Sequence, residues 1–412
     1  MKDDMHQSLL RILKLYGTPL YIFDTGAFIE RLRAVKNILG PEIYLCYSVK
    51  ANPFLIPAAL QVVDKLEVCS PGELEICSNM QIPMNRIVYS GVNKEPVDIP
   101  QAIADGVQIC TAESIRHIHL INREGKSTGK KIPVLLRLNA GSQFGMSKED
   151  LISIIAHREN YSYIDIKGIH YFVGTQRKNK GFHQQIQELK MLQDLYQKIR
   201  TTYGVDMPLL EYGPGLPVPL FQGENFSDTL LPLRELSSEL RKTCNWVKPT
   251  IEAGRFFATE CGYYFTKIMD KKTVGDKTYC IADGGIHHVN YLGQMMGMKV
   301  PIIWHFRGDG DPDKDCSDVD YEYIIDNDTN TYALCGSLCT TNDDLVRSVR
   351  MAEVKPGDVL AFTNIGAYSV TESMYLFLSR PLPKIVLYNS SDGAYKLARD
   401  TIKTSSINTI QR

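Results

Sequence analysis

The residue with the clearest chemical potential is Lys50, in the stretch YSVKANP. It closes an apolar run typical of a strand and precedes a helical pattern, so we expect its amine at a strand end, partly removed from water. Burial favours the neutral amine, which is the form that attacks an aldehyde. Lys50 is therefore predicted to form a Schiff base, although an isolated lysine is more often an amphipathic surface residue.

Three further motifs can hold a phosphate group. Gly213 and Gly215, on either side of Pro214, allow close approach of the backbone and its N–H groups. Thr175 offers a hydroxyl donor, and Arg255 offers a charge-assisted hydrogen bond. Each motif alone is weak, because Gly-Pro-Gly is more often only a turn. Together they indicate a phosphate site.

Glu252, three residues before Arg255, has a sharper chemical meaning. A carboxylate that faces a pyridine nitrogen keeps the nitrogen protonated, so the ring can accept electrons from a carbanion. The plainer alternative is a salt bridge between Glu252 and Arg255, and the two interpretations are compatible. A lysine, a phosphate site and a carboxylate are the groups that a protein needs in order to bind an aldehyde cofactor that carries a phosphate.

Composition describes an ordinary globular enzyme. The 412 residues are enough for two or three domains, and the net charge of −1 provides no basic surface. We expect neither nucleic acid nor an acidic membrane as a partner. The amphipathic N-terminus contains no long apolar run, which predicts a cytoplasmic protein. The ten cysteines form no ligand pattern, so no metal is expected.

Eight strand-like runs alternate with amphipathic helical stretches through the first part of the chain. These runs are IYLCYSV, KLEVC, RIVYS, VQICT, PVLLRLN, IDIKGIHYFV, PLLEY and PTIEA. Eight β/α units predict a (β/α)8 TIM-like barrel, over residues 25–257, with active-site groups at the carboxyl ends of the strands. Lys50, Thr175, Gly213 and Glu252 all fall at such ends.

From residue 258 the pattern changes to strand-like runs without comparable helices. We predict a mostly β domain built from residues 1–24 and 258–412. Residues 301–330 are acidic and rich in turn formers, and we expect them to form an exposed loop. Calcium binding there is a weak alternative, because no twelve-residue ligand spacing fits.

The motifs resemble a known family when they are taken in order. YSVKANP, CSPGELEI, SQFGM, GIHYFVGTQ, GPG, EAGR, CGSLC and GAY are similar to the pyridoxal-phosphate decarboxylases of the alanine-racemase-like fold (fold type III), which include diaminopimelate and ornithine decarboxylases. The resemblance covers almost the whole chain. It implies pyridoxal 5'-phosphate as cofactor, a barrel followed by a β domain, and a homodimer with active sites shared across the interface.

The resemblance also implies individual roles. Lys50 resembles the Schiff-base lysine and Glu252 the partner of the pyridine nitrogen, while Cys339 resembles the cysteine that the partner subunit contributes as the acid protonating Cα. The cofactor contacts implied are Lys50, Phe172, Thr175, Gly213, Gly215, Glu252, Gly254, Arg255 and Tyr368. Candidate substrate contacts are His170, His287, Thr340 and Asp343, the last two in the Cys339 loop.

Three departures from the family pattern bear on geometry and substrate. Phe172 stands where the family usually stacks a histidine on the ring, and Pro214 lacks the N–H of the usual middle glycine. Thr340 stands where ornithine and diaminopimelate decarboxylases carry an acid that grips the distal amine. The Arg-Pro-x-Leu-Tyr segment that binds the distal carboxylate of diaminopimelate is missing. Free diaminopimelate is therefore disfavoured.

GTQ, DGGxHH and Cys-Thr-x-x-Asp are instead similar to a branch that acts on elaborated amino acids. Its members decarboxylate a carrier-linked glutamyl group or a citryl-linked diaminopropionate in antibiotic or siderophore biosynthesis. We expect a decarboxylase of such a substrate. The alternatives are a decarboxylase of diaminopimelate or another free basic amino acid, an amino-acid racemase, disfavoured by Glu252, and a non-enzymatic cofactor carrier, disfavoured by the second domain.

Overall fold

The eight predicted strand runs all form strands, and these strands close into a parallel barrel. The computed structural model describes residues 2–178, 181–224, 227–293, 297–325 and 329–410. The strands are β1 Leu20–Asp24, β2 Tyr44–Ser48, β3 Lys65–Val68, β4 Ile87–Tyr89, β5 Ile109–Ala112, β6 Ile132–Arg137, β7 Ile164–Phe172, β8 Leu209–Gly213, β9 Lys248–Ala253, β10 Gly262–Val274, β11 Lys277–Ala282, β12 Ile303–Arg307, β13 Glu322–Ile324, β14 Asn330–Cys335, β15 Asp344–Met351, β16 Val359–Phe362, β17 Lys384–Tyr388 and β18 Tyr395–Arg399.

The helices lie mainly between the barrel strands. They are α1 Lys2–Tyr16, α2 Thr25–Leu39, α3 Ile56–Ala59, α4 Pro71–Asn79, α5 Asp98–Asp105, α6 Ile115–Thr128, α7 Lys148–Ala156, α8 Gly181–Tyr203, α9 Leu231–Lys242, α10 Arg255–Ala258 and α11 Ser369–Glu372. Several begin at a side-chain cap; for example, the Ser70 hydroxyl accepts from the backbone N–H of Glu73 at the start of α4. Within the described ranges, no helix is both long and apolar enough to cross a membrane.

The chain divides into two units. The barrel unit contains Arg31–Val218 and Asp228–Phe257, and the sheet unit contains Met1–Glu30, Pro219–Ser227 and Ala258–Arg412. The boundaries expected from the sequence assign residues 25–30 and 219–227 to the barrel instead.

In the barrel unit, β2 to β9 pair in sequence order and β9 pairs with β2 to close the ring. The interior of this barrel is layered. Cys46, Val88, Ile109 and Leu135 form an apolar cluster, with Leu209 packed against it. Side chains two residues apart on a strand share a face, so the next interior positions toward the carboxyl ends are Ser48, Ser90, Thr111, Arg137 and Glu211, all buried and polar. A polar layer therefore lies directly below the mouth of the barrel.

The sheet unit contains a ten-stranded sheet whose main path runs β13-β12-β16-β10-β1-β17-β18. The first strand, β1, is central, antiparallel to β10 and parallel to β17. Helix α1 packs on this sheet through Leu9, Leu10 and Leu13, which share one buried cluster with residues such as Phe265 and Phe306. The expectation of a mostly β second domain is confirmed.

The expectation of an exposed loop over residues 301–330 is wrong for part of that segment. Ile303–Arg307 pairs with β16, and Glu322–Ile324 pairs with Ile303–Arg307 in turn. Phe306 is fully buried in the sheet core, and this apolar burial outweighs the acidic turn residues between the two strands. Residues 326–328 lie outside the described part of the chain.

Candidate active site

Lys50 lies in a single 3₁₀ turn, Val49–Ala51, directly after β2. Its Nζ atom is 2.5 Å from Glu67 Oε2, and the side chains are 38% and 2% exposed, respectively. Nζ also donates to Cys69 Sγ at 3.2 Å. Glu67 belongs to β3, the strand next to β2 in the barrel, and Cys69 follows its end. The amine is thus reachable from solvent and stands beside a buried carboxylate that can accept its proton.

Cys69 does not compete with Lys50 as a nucleophile. Burial raises the pKa of the Cys69 thiol far above its usual range, and the negative charge of Glu67 raises it further. The thiolate is the reactive form of cysteine, and here it is suppressed. The amine is therefore the nucleophile at this strand end.

Glu252, on β9, is buried and remains a carboxylate. Its Oε1 accepts a hydrogen bond from Ser48 Oγ at 3.0 Å. Burial acts to raise the pKa of Glu252, but His170, Lys50 and Arg137 more than offset it and hold the pKa well below the usual range. The other oxygen, Oε2, is 2.9 Å from His170 Nε2 but has no aligned hydrogen-bond donor among the described residues. That oxygen can accept a bond from a ligand.

Glu211, on the intervening strand β8, is more deeply isolated. It is 1% exposed, and neither carboxylate oxygen has a hydrogen-bond partner in the described part of the chain. Burial raises the pKa of Glu211 to about 7, against the opposing effect of Lys65 and His170 and with further raising by Glu252 and Glu67. Glu211 is thus poised to gain or lose a proton near neutral pH.

The Gly-Pro-Gly segment follows β8 and has no room for side chains. A Cβ atom on Gly215, which has φ +65°, would lie 1.9 Å from the carbonyl oxygen of Gly174. A Cβ atom on Gly213 would lie 2.4 Å from the ring of Phe172. Gln185 of α8 donates to the Pro214 carbonyl at 2.6 Å. Only glycine fits both positions, so the backbone of this turn approaches its neighbours closely, as is typical of glycine-rich phosphate loops.

The remaining cofactor candidates of the barrel unit lie at the same strand ends. Thr175 is exposed three residues after the end of β7, while Gly254 and Arg255 are buried where β9 meets α10. An amine at the mouth, a buried acceptor on Glu252 and a glycine cradle match the aldehyde, the ring nitrogen and the phosphate of pyridoxal phosphate. The residues present therefore fit this cofactor.

The other predicted residues lie in the sheet unit. Cys339 is exposed, and Thr340 is partly exposed, in the loop between β14 and β15. Asp343 closes this loop, because its carboxylate accepts from the backbone N–H groups of Leu338 at 2.7 Å and Ile286 at 2.8 Å. Tyr368 precedes α11 with φ +68°, a strained conformation for a tyrosine.

His287 is 2% exposed, and its ring packs against His288 with centroids 3.8 Å apart. Burial lowers the pKa of His287 to about 4, so the imidazole is neutral at physiological pH. Its neighbour His288 hydrogen-bonds Tyr264 and the Pro381 carbonyl. This environment is that of a structural pair of histidines.

Sequence reasoning placed Lys50, Glu252 and His170 together but missed Glu67 and Glu211. Both are polar residues inside buried strands, and no motif marks them. The signal was alternation: Lys65 and Glu67 share one face of β3, and Glu211 follows the interior residue Leu209 by two positions. Listing the residues that share the interior face of each barrel strand would have identified Glu67 and Glu211.

The fold and the site together define a barrel enzyme that uses pyridoxal phosphate. The model of the family described as "Pyridoxal-dependent decarboxylase, pyridoxal binding domain" matches residues 25–259. The chain belongs to this family of pyridoxal-dependent decarboxylases. It is an amino-acid decarboxylase with pyridoxal phosphate as cofactor, as the sequence motifs predict.

Curated relatives point in the same direction. The L-glutamyl-[BtrI acyl-carrier protein] decarboxylase of Niallia circulans is 27% identical, with 94% of this chain and 92% of the relative covered. The diaminopimelate decarboxylase of Aquifex aeolicus is 26% identical over 95% and 91%. The 2-[(L-alanin-3-ylcarbamoyl)methyl]-2-hydroxybutanedioate decarboxylase of Staphylococcus aureus is 26% identical over 92% and 97%.

Solved structures confirm the fold. Diaminopimelate decarboxylase of Methanocaldococcus jannaschii in complex with L-lysine has a TM-score of 0.80 at 20% identity, covering 98% of this chain and 94% of that one. Lysine/ornithine decarboxylase of Vibrio vulnificus in complex with putrescine has a TM-score of 0.76 at 19% identity, covering 92% and 96%. The predicted barrel followed by a β domain is therefore correct.

Proposed function

We propose that this decarboxylase removes the α-carboxylate of an elaborated amino acid, one joined to a carrier protein or to a citryl-type group, in the biosynthesis of an antibiotic or a siderophore. The observation that carries the proposal is the charge of the Cys339 loop. A free diamine-type substrate needs an anion for its distal ammonium, because an unpaired buried cation is costly. The loop offers none.

Both acids of the loop are already engaged. Asp343 is buried and accepts two backbone hydrogen bonds. Asp344 accepts from Arg347 Nε at 3.3 Å and from Cys335 Sγ at 3.7 Å. The residue after Cys339 is Thr340, whose hydroxyl accepts from the backbone N–H of Asn342 at 3.2 Å. A loop whose acids already have partners, with an uncharged residue next to Cys339, suits a substrate without a distal ammonium group.

The relatives support the same choice of substrate. One is named for a glutamyl group on an acyl-carrier protein, and another for a hydroxybutanedioate that carries an alanine side chain through an amide. Neither named substrate has a free distal amine. Diaminopimelate decarboxylases are also relatives, at similar identity, and therefore supply the control substrate.

We assign the cofactor contacts as follows. When bound, pyridoxal phosphate supplies an aldehyde that condenses with amines and a ring that accepts electrons from Cα. Lys50 would bind the aldehyde, Glu252 would pair with the ring nitrogen, and Phe172 would lie against the ring. The phosphate is held by Thr175, Gly213, Gly215, Gly254, Arg255 and Tyr368.

Two proton transfers fall to residues of the chain. Lys50 must lose a proton before it can attack, and Glu67 Oε2, 2.5 Å from Nζ, is placed to take it. We assign the protonation of Cα after CO₂ is lost to Cys339 Sγ of the partner subunit in a homodimer, because the thiol is exposed and can reach out of its own unit. Glu252 supports the departure of CO₂ by holding the ring nitrogen cationic.

Three of the four predicted substrate contacts receive other roles. His170 is 1% exposed with its Nε2 atom 2.9 Å from Glu252 Oε2, and the His287 ring packs against His288, so we assign both to positioning their neighbours. Asp343 positions the Cys339 loop through its backbone hydrogen bonds. Thr340 remains as the contact that senses the distal part of the substrate.

The test is a comparison of substrates with purified protein and added pyridoxal phosphate. A glutamyl thioester of an acyl-carrier protein, a citryl-amide of diaminopropionate and free diaminopimelate are each incubated, and loss of CO₂ is followed by mass spectrometry. We expect kcat/KM for one of the first two to exceed that for diaminopimelate by about a hundredfold.

A matched variant, Thr340→Asp, supplies the missing anion. It should raise kcat/KM for diaminopimelate by about tenfold or more, because the distal ammonium gains a partner, and should not improve the elaborated substrates. Diaminopimelate as the preferred substrate of the unaltered protein would refute the proposal.

A further inference from the structure

Three ionisable side chains converge inside the barrel from adjacent strands. His170 of β7 is in register with Glu211 of β8, and Glu252 of β9 lies two positions beyond Thr250, the β9 partner of Glu211. One donor or acceptor atom from each of His170, Glu211 and Glu252 lies within 4.8 Å of the others. Motif reasoning explains Glu252 but gives no role to Glu211.

This cluster is short of hydrogen bonds. Among the described residues, both ring nitrogens of His170, both oxygens of Glu211 and Oε2 of Glu252 are buried without an aligned partner. Two neighbouring carboxylates in a low-dielectric interior cannot both carry a full charge unless a proton or a cation is shared between them. A hydrogen bond between Glu252 Oε2 and the ring nitrogen would give that oxygen a partner. Both oxygens of Glu211 would still lack one.

Titratable groups on four neighbouring strands interact electrostatically with Glu211. They are Lys65 and Glu67 of β3, Cys46 of β2, His170 of β7 and Glu252 of β9. Lys65 is itself buried and donates to Thr250 Oγ1 at 3.2 Å. Burial dominates this environment and raises the pKa of Glu211 to about 7, whereas Glu252 remains ionised. Glu252 accepts from Ser48 Oγ and lies 2.9 Å from His170 Nε2, whereas Glu211 has no hydrogen-bond donor among the described residues, so Glu211 is the carboxylate of this pair that takes the proton.

We propose that Glu211 is a positioning residue of the cofactor site, which holds the proton of this cluster and thereby sets the charge that Glu252 presents to the ring nitrogen. The inference rests on the proposed placement of Glu252 against that nitrogen. When Glu211 is protonated, the cluster loses one negative charge and Glu252 attracts the ring proton less strongly. When Glu211 is ionised, the ring proton is held more firmly.

The first test follows the visible absorbance of the bound cofactor between pH 5.5 and 8.5, a window of roughly one and a half pH units on each side of the expected midpoint. The unaltered holoenzyme should show a titration step near neutral pH, Glu211→Gln should lose it, and Glu211→Asp should retain it. A step that persists in Glu211→Gln, or that is absent from the unaltered protein, overturns the proposal. If Glu211→Gln does not fold, Glu211→Asn replaces it with the same expected loss.

Glu252→Gln separates this inference from the placement on which it rests. If that variant leaves the absorbance unchanged, Glu252 does not face the ring and the placement has failed. If Glu252→Gln changes the spectrum and Glu211→Gln does not, the inference alone has failed. Three such side chains can also bind a divalent cation. A step that disappears on treatment with EDTA would assign them to a metal and overturn the proposal.

The second test needs no cofactor. Because folding raises the pKa of Glu211, the folded state binds the extra proton between about pH 4.5 and pH 7. This stabilisation is fully present at low pH and is lost as pH rises through 7. Glu211→Gln lacks it, so the stability of the variant relative to the unaltered apoprotein should increase between pH 5 and pH 8, as measured by urea unfolding with the same pH interval for both. A constant difference would contradict a proton held by Glu211.

Discussion

At the residue scale, the environment of Lys50 explains how one lysine becomes reactive. Its Nζ atom is 2.5 Å from a carboxylate that is almost fully buried, and its own side chain is partly exposed. The carboxylate of Glu67 gives the proton of the amine a nearby acceptor when an aldehyde arrives. The position of Lys50 at a strand end and its contact with Glu67 suit this lysine to act as a nucleophile.

Lys50→Ala and Lys50→Arg test this assignment together. Arginine keeps a positive charge beside Glu67 but cannot condense with an aldehyde, so both variants should lose the visible absorbance of the lysine-bound cofactor completely. Treatment with borohydride followed by mass spectrometry should attach the cofactor to the unaltered protein alone. A covalent adduct on Lys50→Arg would show that another amine serves.

The site residues that stand within motifs could be predicted from the sequence. The residues that contact them could not. Lys50 and Glu252 stand within conspicuous motifs, YSVKANP and EAGR, which indicate a role for both residues in the reaction. Glu67 and Glu211 each occupy an ordinary strand, and their importance arises only when neighbouring strands bring them against Lys50 and His170. Such contacts depend on register across strands that lie far apart in the chain.

At the element scale, short strand-like runs that alternate with amphipathic helical stretches located every barrel strand, because most residues of these strands are buried. The same rule failed at Ile303–Arg307, where the strand is short and acidic turns follow it. Composition averaged over about thirty residues hid five residues of strand. The acidic turn residues beside the strand, and not its length, limited the prediction, because the shorter strand Ile87–Tyr89 was located.

The turn after β8 yields a prediction about Gly215→Ala. Its φ of +65° is costly for alanine, by about 1–2 kcal/mol, and its Cβ would collide with the Gly174 carbonyl. Gly204 is the matched control, because it has φ +63° and a methyl group there would meet no atom within 4 Å outside the adjacent residues. Both alanine variants should lose stability in urea unfolding, and Gly215→Ala should lose more, because its Cβ also clashes with the Gly174 carbonyl oxygen.

Only Gly215→Ala should weaken cofactor binding, by about tenfold or more, because only that loop must move away from the phosphate. The dissociation constant of pyridoxal phosphate, measured by fluorescence titration of each apoprotein, checks this difference. Equal affinity in the two variants would remove the Gly-Pro-Gly turn from the phosphate site.

At the scale of the whole molecule, chemistry is divided between the two units of the chain. The barrel unit contains the nucleophile, the carboxylate for the ring nitrogen and the glycine cradle, whereas the sheet unit contains the Cys339 loop. The loop is stiffened from within its own unit: Gly336 N donates to the Asp343 carbonyl at 3.0 Å, and Ser337 N to the Gly284 carbonyl at 2.8 Å. A rigid, exposed thiol is suited to serve a site on another subunit.

Mixing two inactive variants tests the proposed shared homodimer site. Lys50→Ala cannot bind the cofactor through its amine, and Cys339→Ala should bind the cofactor but turn over slowly. In a heterodimer with sites shared between subunits, one of the two sites combines an intact Lys50 with an intact Cys339. Random reassociation should therefore restore about a quarter of the unaltered activity.

The control mixes Lys50→Ala with Glu252→Gln, which both alter the barrel unit. Every barrel then carries one defect, so no site is complete and no activity should return, however well the subunits exchange. Exchange itself is verified by native mass spectrometry of subunits with different affinity tags. If Lys50→Ala and Cys339→Ala form heterodimers without recovering decarboxylation, each thiol serves the barrel of its own chain or no barrel at all, and the shared site is ruled out.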